Sequence, residues 1–153
     1  MNIFILDQNT EKCAQYHCDK HIIKMILESA QMLSTVVRLS GIDQGYKITH
    51  ESHPCVLWVR ESLSNWKWLR KLATALNEEY RFRYEKKVNH KSYDLIQSLA
   101  IPQIVDYGLT SFVVVMPERY QHKNPVTAYR KYYIGEKRKI LNWTKRPTPF
   151  WIY

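Results

Sequence analysis

At 153 residues with 45% apolar side chains, the chain is long enough to bury a real core without disulfides or a structural metal, which excludes a disordered protein. Four glycines are too few for a many-turned β sandwich or barrel, and there is no GxGxxG or Walker-type phosphate loop. The net charge is +9, and residues 111–153, with nine basic and two acidic side chains, supply +7 of it; basic groups interleaved with aromatics suit a polyanion such as DNA or a phosphate-bearing nucleotide.

Residues 2–6 read as a short extended segment whose apolar run, Ile3 to Leu6, is too short for a signal peptide or a membrane span. Three cysteines at irregular spacing make no disulfide framework, so a cytoplasmic location is expected and a membrane is not. Asp7-Gln8-Asn9-Thr10 starts a helix, and the absence of Pro and Gly from Glu11 to Leu39 predicts that it runs unbroken to the Gly41–Gly45 loop. Pro54 opens a second helix, predicted to reach about Tyr84 because Trp58, Val59, Trp66, Leu69, Leu72, Ala73, Leu76 and Tyr80 recur at spacings of three and four. Asn89-His90-Lys91-Ser92 is a turn before a shorter helix that ends ahead of Pro102. Residues 111–116, with Phe-Val-Val-Val, are a strand or a buried extended stretch. Asn124-Pro125 caps a last helix, roughly Val126 to Trp143, and a rigid aromatic tail follows. The expectation is one all-α domain, 1–153, a compact helical bundle.

The first helix carries the most informative pattern. On a wheel with His17 at zero, Lys20, His21, Lys24, Glu28, Gln31 and Thr35 fall within an arc from about −60° to +40°, and the remainder is apolar. A narrow polar arc means an enclosed, central helix. The seam is either its solvent edge or the lining of a cleft; two His, two Lys and a Glu favour the cleft, since crowding shifts such groups into acid–base range. His17 and His21, four apart, converge as metal ligands would, with His50 and His53 as possible further ligands. Lys20 and Lys24 would repel a cation, so no metal or other cofactor is expected and acid–base or phosphate-binding roles are preferred. His50, His53, Asn65, Arg83, His90, Lys91, Tyr129, Arg130 and Tyr133 are candidates for substrate contacts, the last three as rings and cations that stack on bases and neutralise phosphates.

The run Tyr16-His17-Cys18-Asp19-Lys20-His21-Ile22-Ile23-Lys24-Met25-Ile26-Leu27-Glu28 resembles a family of small proteins of tailed bacteriophages. That likeness continues through Thr49-His50, His53-Pro54, Trp58, Asn65-Trp66, Glu79-Tyr80, Arg83-Tyr84, His90-Lys91 and Ala128-Tyr129-Arg130-Lys131-Tyr132-Tyr133. More distantly the chain resembles the phage-type pyrimidine-dimer DNA glycosylases, also called endonuclease V. They share the extended N-terminus, the basic first helix, the long second helix and a closing segment like Arg146-Pro147-Thr148-Pro149-Phe150-Trp151. The resemblance implies an endonuclease V-like bundle acting on DNA. It also implies attack on sugar C1′ by the N-terminal amine, an imine, and a helical Glu that supports base loss and β-elimination. By this alignment the family's Glu falls on His21, and Glu28, one turn beyond Lys24, is the carboxylate available to replace it. Initiator Met is poorly removed before Asn, so Asn2 is not expected to present a free amine, and a seam lysine is the substitute. The expected function is glycosidic or phosphodiester cleavage by His17, Lys20, His21, Lys24 and Glu28, with His50 and His53 nearby. The alternative is a non-catalytic protein that binds DNA or a defence-signal nucleotide.

Overall fold

The computed structural model describes all of residues 1–153. Its regular structure is helical, as expected: α1 (Thr10–Tyr16), α2 (Asp19–Leu39), α3 (Pro54–Glu61), α4 (Leu63–Arg83), α5 (Lys91–Ser98) and α6 (Pro125–Glu136), with three short 3₁₀ turns. Residues 2–6 and 111–116 have no regular secondary structure and form no ladder, with bends at Leu6 and Met116. α2 is the central helix and packs on α3, α4 and α5. No helix is long and apolar enough to cross a membrane.

The first expected helix is two helices. At His17 and Cys18 the backbone turns extended, with ψ of 134° and 160°. No Pro or Gly causes the break; partners from far along the chain do. Arg83 donates to the carbonyls of His17 (2.7 Å) and Gln15 (2.8 Å), and the Trp143 indole donates to Tyr16 (2.8 Å), so the carbonyls that end α1 are satisfied from outside. Asp19, opening α2, accepts from the Thr144 amide and hydroxyl, from Asn142 and from Arg83.

The second expected helix is also two, divided at Ser62 (φ −153°, ψ 143°). The Ser62 hydroxyl donates to Gly108 O (2.7 Å) and accepts from the Tyr107 amide (2.9 Å), while the Asn65 amide caps the Trp58 carbonyl (2.8 Å). α6 stops at Glu136, seven residues short of Trp143, and the chain continues in a 3₁₀ turn, Arg138–Ile140.

A continuous cluster of 30 buried side chains forms the core, and Ile3, Phe4, Ile5 and Leu6 all belong to it. The N-terminal segment is therefore covered on both sides, with exposures of 5% or less. Burial stabilises it by roughly 2 kcal/mol per large side chain. Arg130 of α6 donates to Leu6 O (2.9 Å), and the Phe4 ring stacks on His21 (4.5 Å between centroids). These contacts fix where the chain's first residues lie.

Candidate active site

α2 divides its polar seam lengthwise. Lys20, Ile23, Lys24 and Leu27 are exposed, while His21, Glu28 and Thr35 are buried. Each buried member ties a different part of the chain to α2. His21 Nδ1 is hydrogen-bonded to the Tyr133 hydroxyl of α6 (2.7 Å). Thr35 Oγ1 accepts the Thr49 amide (3.1 Å) and so holds the loop that carries His50 and His53. Glu28 holds the N-terminus. His17 lies in the break before α2, outside the wheel that the sequence suggested.

Glu28 Oε1 lies 3.4 Å from the Met1 amine and accepts the Asn2 N–H at 3.2 Å. Its second oxygen has only Lys24 Nζ nearby, at 3.7 Å, and makes no hydrogen bond. One nearly buried carboxylate thus faces two nitrogens of the chain start and one lysine amine. Lys24 is 66% exposed, so the cluster opens to solvent on that side.

The Asn2 side chain is fixed at both ends. Its Nδ2 donates to Val115 O (2.9 Å), and its Oδ1 accepts from the Tyr129 hydroxyl (2.8 Å), with Cys55 Sγ at 3.7 Å. Burial pushes the Cys55 thiol up to about 12 and raises the Tyr129 hydroxyl as well, so both stay protonated at neutral pH. His53 borders the same pole: burial lowers its pKa, the chain amine and His50 lower it further, and Glu28 opposes them. The two loop imidazoles stand edge to face, 6.5 Å apart.

His17 and His21 occupy a different environment. Their exposures are 0% and 3%, and burial lowers them to about 4 and about 3, so both rings are neutral in the folded protein. His17 Nδ1 donates to Cys13 O (2.7 Å), while its Nε2 has no partner. Lys20 remains an exposed cation on the stripe that contains Lys24. The position the resemblance gives to the catalytic carboxylate is a core position here, and Glu28 is the carboxylate that reaches the amine.

Of the other candidates, Tyr129 joins the pole through Asn2. Tyr133 binds His21, and Arg130 bridges Leu6 O and Asp7. Asn65 serves the α3–α4 break. His90 caps α5 through the Ser92 amide, and Lys91 is exposed beside it. Arg83 lies in a buried network that the sequence reading missed, linking Asp19 (3.1 Å), Glu79 (2.8 Å) and, through Glu79, Arg146 (2.6 Å). The i,i+4 spacing of Glu79 and Arg83 was its one local sign. No three His, Cys, Asp or Glu side chains are placed to hold a metal ion, so His17, His21, His50 and His53 are not a ligand set.

A helical, basic protein that sets a carboxylate against its own first amine has the parts for amine-based chemistry on a polyanion. The chain belongs to the pyrimidine dimer DNA glycosylase family, whose model matches residues 1–92. At the level of that family the activity is DNA glycosylase-like, the substrate is DNA and no cofactor is needed. The matched span runs from the first amine to the first turn of α5 and includes Lys24, Glu28, His50 and His53. No curated protein and no solved structure matches the chain.

Proposed function

We propose that the chain excises a damaged pyrimidine from duplex DNA by attack of an amine at the Glu28 pole on sugar C1′, and then nicks the strand by β-elimination. The observation that carries this is the contact between Glu28 and the start of the chain. Whether Met1 is kept or removed, the first backbone nitrogen lies 3.4 or 3.2 Å from Glu28 Oε1. This position supports the chain's first amine, rather than a seam lysine, as the nucleophile.

The chemistry balances around that pair. The amine lone pair forms the N–C1′ bond, and the C1′–N1 pair passes to the pyrimidine, which in a dimer stays joined to its neighbour through the cyclobutane ring. Glu28 takes the proton the amine sheds and returns it to the leaving base. Opening of the sugar ring passes the remaining amine proton to O4′ and gives the imine, Glu28 takes the C2′ proton as the C3′–O bond breaks, and water releases the amine. Lys24 and Lys20, exposed on one stripe of α2, supply the positive charge for the flanking phosphates. The buried His17 and His21 pack against Phe4 of the N-terminal segment, and Tyr133 holds His21 from α6.

Borohydride reduction in the presence of duplex DNA bearing a pyrimidine dimer tests the proposal. A covalent protein–DNA adduct is expected, lost in Glu28→Gln. Salt-sensitive binding with neither adduct nor nicked product would instead support a DNA-binding protein without catalysis.

A further inference from the structure

The segment His50-Glu51-Ser52-His53-Pro54-Cys55 has no part in the chemistry above, yet Thr35 pins it beside the Glu28 pole. Within it His53 is the N-cap of α3, and its Nδ1 accepts the Cys55 N–H at 3.1 Å. A cap of this kind has a chemical consequence. The Nδ1 lone pair is occupied, so the ring proton sits on Nε2, and protonating Nδ1 would break the cap. The residue is half-buried, and Nε2 makes no hydrogen bond and is not among the buried unpartnered polar atoms.

The groups facing His53 push the same way. Burial disfavours a positive imidazole most, the chain amine and His50 add to it, and Glu28 opposes. Cys55, two residues along the first turn of α3, brings its Sγ to 3.7 Å from Asn2 Oδ1, which ties this turn to the chain start. His50 has its own bond, Nδ1 to Thr49 Oγ1 at 2.6 Å, and does not compete for the cap.

From this arrangement we infer that His53 is a catalytic residue: a neutral imidazole, locked with its proton on Nε2, that donates a hydrogen bond to the carbonyl oxygen of the departing pyrimidine. The inference rests on the glycosylase function proposed above. When the C1′–N1 bond breaks, its electron pair delocalises onto that oxygen, and a fixed donor strengthens its bond as the charge develops. A neutral donor keeps the cap intact, whereas an imidazolium would have to give up the bond its Nδ1 accepts from the Cys55 N–H. His53 takes no part after the base has gone, so it assists base release and not the elimination that follows.

That division of labour supplies the test. His53→Asn keeps an effective helix cap, since Asn is among the best N-cap residues, but lacks the reach of Nε2. Cleavage of the C1′–N1 bond in dimer-bearing duplex, read as free pyrimidine after photoreversal of the dimer, and borohydride trapping on duplex with a preformed abasic site are measured side by side for wild type, His53→Asn and His53→Ala. The expected result for His53→Asn is an unchanged melting temperature and base release slowed on the order of 10²-fold, with abasic trapping far less affected. Wild-type base release in His53→Asn, or equal loss of both activities, would overturn the role. If wild type gave no adduct on either DNA, the proposed glycosylase function would fall first and His53's role with it. Imidazole ¹⁵N NMR of the free protein adds an independent reading: the Nε2–H tautomer of His53 should persist at neutral pH, and an Nδ1–H tautomer would contradict the inference whatever the activities show.

Discussion

Glu28 Oε1 is shared between two backbone nitrogens, while Oε2 has only a lysine 3.7 Å away. Its free oxygen is the group able to accept a proton, so Glu28→Gln keeps the shape and removes the base. Single-turnover base release in that variant should fall by about 10²- to 10⁴-fold, with DNA affinity retained. The buried histidines make a separate prediction about stability. Their folded pKa values lie below the unfolded value of 6.5, so below that pH the unfolded chain binds protons that the native protein refuses. The stability they contribute is complete above pH 6.5 and is lost as pH falls toward 4. His17 alone accounts for about 3 kcal/mol of that loss, because each pH unit between its unfolded and folded values is worth about 1.36 kcal/mol. Urea unfolding at pH 7 and pH 4.5 should show it, with a smaller difference for His17→Gln; equal differences in the two proteins would contradict the assignment.

At the scale of elements, the two breaks decide where the functional groups lie. Arg83 holds the α1–α2 break by donating to His17 O, Gln15 O, Asp19 and Glu79, and its side chain is fully buried. Arg83→Met would leave two carbonyls and parts of two carboxylates without donors, so denaturant unfolding should show a loss of about 3–5 kcal/mol. A loss below about 1 kcal/mol would mean that the break does not depend on this side chain. The same breaks mark how far the sequence could be read. Helical class, the α5 turn, the Pro54 start and the central position of α2 follow from local pattern. The breaks do not, because neither involves Pro or Gly. One is made by an arginine 66 residues away, and the other by a serine bonded to a loop 46 residues on. A continuous helix put His17 in phase with Glu28. The extended residues 17 and 18 remove that phase, and the buried edge of the seam proves to be three fastenings. Glu28 was legible as a carboxylate on the seam, but its contact with the chain start was not, since no periodicity shows where the N-terminal segment packs.

Across the molecule, the apolar run Ile3–Leu6 is an anchor that brings the first amine to α2, and the basic C-terminal third is the surface proposed to supply charge for DNA. Lys131, Arg138 and Lys139 are exposed and take no part in the Glu28 pole. Replacing all three with Gln should weaken duplex binding and reduce the slope of log affinity against log salt by about one for each phosphate left without its cation, with base release at saturating DNA unchanged. An unaltered slope would place the DNA on another face. The pairing of Glu28 with the first amine is the claim on which the rest depends, and mapping the reduced protein–DNA adduct by peptide mass spectrometry tests it most directly. The expected result is DNA attached to the α-amine of the N-terminal peptide, at Met1 or at Asn2, and absent in Glu28→Gln. Attachment to a lysine remote from Glu28, or no attachment to duplex carrying either a dimer or an abasic site, would contradict it.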